Sequence, residues 1–202
     1  MAAKSGFFRR FYSTESLFRL FMVCAFPLHL WSLLAAFRDF GWVAARTRVW
    51  DAVGLAAYAM AFALLETTAV FLLVLLLGFL VPAKWKIGRR VALMGTLFLV
   101  VAAWAILAQL ISEFLGPVSA WLLGPLAAAG HPLRTLWGAA FLLVTLTVLL
   151  PVLWILRAES SRKAILSAFD NLAILSSFYV ILDVIGILVI IVRNLMLMLG
   201  IG

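Results

Sequence analysis

Residues 52–81 read AVGLAAYAMAFALLETTAVFLLVLLLGFLV, thirty positions with a single charged side chain, Glu66. A helix of that length rises about 45 Å against a hydrocarbon layer about 30 Å thick. It is therefore long enough to cross a bilayer, and long enough that it must tilt or project. A strand is excluded because a barrel strand needs only about 9–11 residues and its backbone groups would go unpaired in lipid.

Working outward, four more stretches have the same character: residues 17–37, 91–111, 136–156 and 165–192. Together they predict an all-α membrane protein, a bundle of about five transmembrane helices forming one polytopic domain over residues 1–202, with no soluble domain. Composition agrees. The chain is 67% apolar and 12% charged, where a soluble domain carries roughly 45–50% and about 25%. Too little polar material is present to cover a water-facing surface, so lipid is the expected main solvent.

The net charge of +8 comes from 16 lysines and arginines set in short clusters between the apolar runs. Such clusters point to topology signals and anionic lipid head groups, not to nucleic acid. Lys4, Arg9, Arg10 and Arg19, then Lys84, Lys86, Arg89 and Arg90, then Arg157, Arg162 and Lys163 fall on one side. Arg38, Arg46, Arg48, Arg134 and Arg193 fall on the other. The positive-inside rule then puts the N-terminus in the cytoplasm and the C-terminus outside, in a bacterial-type plasma membrane. The first apolar run is about twice the length of a signal-peptide core and reads as an uncleaved anchor.

Local signals refine the ends. Ser13 or Thr14 with Glu15 offers an N-cap and a first-turn acid to the first helix, and Ser160 or Ser161 offers the same to the fifth. Pro82 is expected to close the second helix, and Pro27 and Pro151 to kink the first and fourth. Residues 112–135 carry Gly116-Pro117, Gly124-Pro125 and His131-Pro132 around an apolar stretch. That segment is read as interfacial or re-entrant, or as a loop made apolar by its neighbours. Phe7, Phe8, Arg9, Arg10, Phe11 and Tyr12 look like an aromatic and basic interfacial anchor, as does Trp85 among its lysines. No internal repeat is visible.

Few groups capable of chemistry fall at membrane depth, where a charge at a helix centre costs about 2.5–3.5 kcal/mol. Glu66 continues the face of Ala52, Ala56, Ala59 and Ala63, and small residues at that spacing admit a second helix, so its side chain is expected to face protein. Asp183 shares a face with Ser176, Tyr179 and Gly186. His29 lies in the middle of the first span, just after Pro27, with Asp183 somewhat further outward. His29, Glu66 and Asp183 thus form a candidate polar cluster. Either they make a proton or cation relay, or they are hydrogen-bonded packing contacts within the chain or to a partner.

His29 is also a conceivable haem ligand, but the only other histidine is His131, beside Pro132, so the cofactor stays unknown. Cys24, the sole cysteine, excludes an internal disulfide and a multi-cysteine metal site. Zinc-protease, nucleophile-elbow, P-loop and dinucleotide motifs are absent. Arg157, Arg162, Lys163, Asp170 and Asn171 sit near one span end, where they either bind a phosphate head group or divalent ion or simply mark the helix entry.

The resulting expectation is a non-enzymatic membrane subunit or accessory protein of a larger assembly, with lipid, other membrane subunits or further copies of itself as partners. A small transporter or ion pathway built on Glu66 and Asp183 is the alternative. A membrane partner of a lipid or envelope head-group enzyme is a weaker third.

Overall fold

The computed structural model describes residues 11–114, 124–125, 128 and 130–200. Among the described residues five long helices stand out: α1 (Thr14–Arg46), α2 (Val49–Gly78), α3 (Ile87–Phe114), α4 (Pro132–Arg157) and α5 (Glu159–Met198). Each is long and apolar enough to cross a membrane, and no strand occurs among the described residues. Five such helices suggest a multi-pass membrane protein.

α1 is the centre of the bundle. It packs on α2, α5 and α3, while α4 lies outside, against α3 and α5. Its start is closed by Ser13, whose Oγ accepts from the Ser16 amide (3.2 Å) while the Ser13 amide donates to Ser16 Oγ (2.8 Å). This reciprocal box satisfies two amides that the first turn leaves without helical partners. Both Pro27 and Pro151 stand inside continuous helices.

Two boundaries differ from the sequence reading. α2 covers thirty residues as expected but starts three earlier, because the Asp51 carboxylate accepts from the Arg48 amide (3.2 Å) and closes the first turn there. It ends at Gly78, four residues before Pro82, in turns closed by the Leu76 and Leu77 carbonyls. α5 begins at Glu159, so Ser160 and Ser161 lie within its first turn and cap nothing. Ala158 alone, extended at φ −112°, separates α4 from α5. Arg162 and Lys163 therefore stand on helix and not in a loop.

The end expected to be an interfacial anchor turns inward where it is described. Phe11 and Tyr12 are buried and meet the Phe79 ring edge-on at centroid distances of 5.0 and 5.9 Å. Arg90, read from sequence as a loop charge, is completely buried; its guanidinium donates to the Phe11 carbonyl (2.8 Å) and the Pro82 carbonyl (2.9 Å). It thereby ties the N-terminal approach to the α2–α3 link. Burial pushes the Tyr12 phenol above its ordinary range, with the neighbouring Arg90 charge pulling the other way. The expected Phe7–Arg10 part of that anchor, and most of the segment read as interfacial or re-entrant, lie outside the described residues.

Candidate functional site

At the middle of the bundle α1, α2 and α5 enclose a polar core. His29 is 1% exposed and so is Asp183. The imidazole Nε2 lies 3.0 and 3.1 Å from the two carboxylate oxygens. Nδ1 lies 2.9 Å from the Ala25 carbonyl, one turn earlier, and 3.3 Å from the Thr67 hydroxyl. Tyr179 stacks on the imidazole at 5.5 Å and 14°. One turn along, Ser176 donates to the Met22 carbonyl (2.9 Å), beside the Val23 carbonyl that Pro27, lacking an N–H, leaves without its helical donor.

Nε2 faces the Asp183 carboxylate, while Nδ1 faces an acceptor in the Ala25 carbonyl and a group able to donate or accept in the Thr67 hydroxyl. Removing either partner would leave a polar group stranded where nothing replaces it.

The pair is the middle rung of three. Near one end of α5 Asp170 accepts from Arg19 (2.6 Å), and near the other Arg193 donates to Asp51 (2.6 Å). Along α5 these lie about 20 Å and about 15 Å from Asp183, a total of about 35 Å, close to the hydrocarbon thickness. Asp183 is level with His29, as their direct contact requires.

Small residues bring the helices together around these rungs. A Cβ at Gly186 would stand 3.1 Å from the Ala57 carbonyl, and one at Gly95 would overlap the Phe169 ring. Phe169 packs there with Val23 and Val91.

Glu66 does not join His29 and Asp183. Adjacent helical residues point about 100° apart, and the buried contact to His29 is made by Thr67, which is fully enclosed. Glu66 is exposed on the wall of a groove of about 440 Å³ between α1, α2 and α3. The sequence reading grouped Glu66 with His29 and Asp183, and the structure puts Thr67 in that place. The reason is visible in the alanine stripe: Ala63 is followed on its face by both positions 66 and 67, and packing against α1 and α5 selects 67. Ala52 and Ala63 are buried, whereas Ala59 lines the groove with Glu66.

The second set of candidate residues is not gathered into one site. Asp170 is engaged by Arg19, Arg162 lies 3.7 Å from Glu159, and Arg157, Lys163 and Asn171 are exposed. Among the described residues no group of three or more His, Cys, Asp or Glu side chains is placed to hold a metal. Arg19, Thr67 and Arg90 take part in the main polar contacts without having been singled out by sequence. Thr67 was detectable as the other residue one turn past Ala63; nothing local distinguished Arg90 from Arg89.

Compared with protein-family models, curated proteins and solved structures, the chain matches none.

Proposed function

We propose that this chain is a non-enzymatic subunit or accessory component of a larger membrane assembly, attached through α4. The observation that carries the reading is how little α4 is held. Of its 26 residues Ile155 is the one buried side chain. Two polar ties add to it: Trp104 Nε1 donates to Thr147 Oγ1 (3.0 Å), and Arg89 donates to the Leu156 carbonyl (3.1 Å). Apolar surface alone drives no association in lipid, where helices are held by close packing and interhelical hydrogen bonds. A helix with so little of either among the described residues gains its fixed position from a neighbouring protein. Trp137, Phe141 and Trp154 supply the large exposed side chains for that contact.

The charge distribution supports a cytoplasmic N-terminus and an external C-terminus in a bacterial-type plasma membrane. Lys84, Lys86, Arg157 and Lys163 are exposed near the same end of the bundle, where the Arg89–Leu156 bond joins the α2–α3 link to α4. That end suits anionic lipid head groups.

Photo-crosslinkers placed at Phe141 on α4 and at Leu72 on α2, followed by gentle-detergent purification, test the proposal. Phe141 should capture one defined membrane protein and Leu72 only lipid. A monodisperse monomer with lipid adducts at both positions would overturn it.

The groove beside Glu66 favours a second reading, transport. Its lining runs from Pro27 and Glu66 to Asp39 and Gln109, while the other half of the bundle is filled by Leu20, Cys24, Val74, Leu75 and Met94. As built, it suits binding from one side better than passage through.

A further inference from the structure

We infer that the groove between α1, α2 and α3 binds a lipophilic organic monocation, with the Glu66 carboxylate as its counter-charge. This is independent of the assembly proposed above. Among the described residues no ion pair or hydrogen bond reaches Glu66. The other acid of the groove, Asp39, is engaged by Arg38 at 3.0 Å. One carboxylate without a partner therefore remains on the wall of the cleft, and the complement to it is a single positive charge.

The walls decide what carries that charge. Leu28, Leu55, Ile106 and several alanines are apolar, and Trp31 adds an aromatic ring of the kind that attracts organic cations. A bare inorganic cation needs a shell of oxygen ligands; of the groove's other oxygen-bearing side chains, Ser32, Asp39 and Gln109, Asp39 is engaged by Arg38, and no group of three or more His, Cys, Asp or Glu side chains is gathered among the described residues. The groove holds about 440 Å³, within the roughly 300–1,000 Å³ of small-ligand sites. The space fits an alkylammonium or arylphosphonium ion.

Equilibrium dialysis of radiolabelled tetraphenylphosphonium against the full chain in zwitterionic nanodiscs tests this. One saturable site per chain is expected. Glu66→Gln should weaken it at least tenfold, while Glu159→Gln, outside the groove, should bind as the parent does. Ala105→Trp, which fills the cleft and leaves the carboxylate in place, should also abolish binding and guards against a folding defect in the first variant. Binding by Glu66→Gln equal to the parent, or binding by the parent no greater than by protein-free nanodiscs, would overturn the inference.

Discussion

α4 and α5 are matched in hydropathy, yet they are held in opposite ways. α5 buries Ser161, Phe169, Ala173, Ser176, Tyr179, Asp183 and Gly186, a stripe recurring mostly every three or four residues, and it is joined by polar and charged contacts at Asp170, Asp183 and Arg193 along its length. α4 buries Ile155. Apolarity makes both helices fit to cross a membrane. What ties one of them to its neighbours is the set of residues that are not apolar: small ones that admit a backbone, and polar ones that need a partner.

The sharpest way to break this contrast is to remove its central rung. Asp183→Leu leaves His29 buried without its carboxylate and should cost about 3–5 kcal/mol, as breaking a buried pair does. Adding His29→Leu should recover much of that loss, because the stranded group is gone. Unfolding in mixed micelles, followed by tryptophan fluorescence, measures both. Equal destabilisation by the single and double variants would mean that the pair is not coupled.

A rim contact should matter less. Arg193→Gln removes the bond to Asp51, and since both side chains are partly exposed the expected cost is at most about 1 kcal/mol, shrinking as salt is added. A loss as large as that of Asp183→Leu would move the anchoring of α5 from its middle to its end. On α4, Thr147→Ala removes the bond from Trp104 and should cost about 0.6 kcal/mol, the average for interhelical hydrogen bonds in membranes. A loss of several kcal/mol in the same assay would show α4 to be fixed by its own chain, against the proposed docking role.

Much of the frame was legible in the sequence because the hydrocarbon layer demands long apolar runs and leaves helices as the way to satisfy their backbones. The five spans, the cap at Ser13 and the polar face of α5 could all be read one segment at a time. Asp183 and His29 stood out as expensive groups at depth, and that expense implied that each needs a partner.

Which partner each found was a tertiary decision. Positions 66 and 67 both follow Ala63 on one face, and only the approach of α1 and α5 turned Thr67 to His29 and left Glu66 in the groove. Arg89 and Arg90 are neighbours of the same type, yet one stacks on Trp85 at 4.1 Å and the other is enclosed by the Phe11 and Pro82 carbonyls. Likewise α4 and α5 both read as apolar spans, and only their packing showed how unequally they are held. The sequence by itself determined which segments are helices and which polar groups are costly, since both follow from local chemistry and the solvent. The tertiary structure alone decided how those groups are shared out, because a helix periodicity of 3.6 leaves adjacent positions nearly equivalent until a second helix chooses between them.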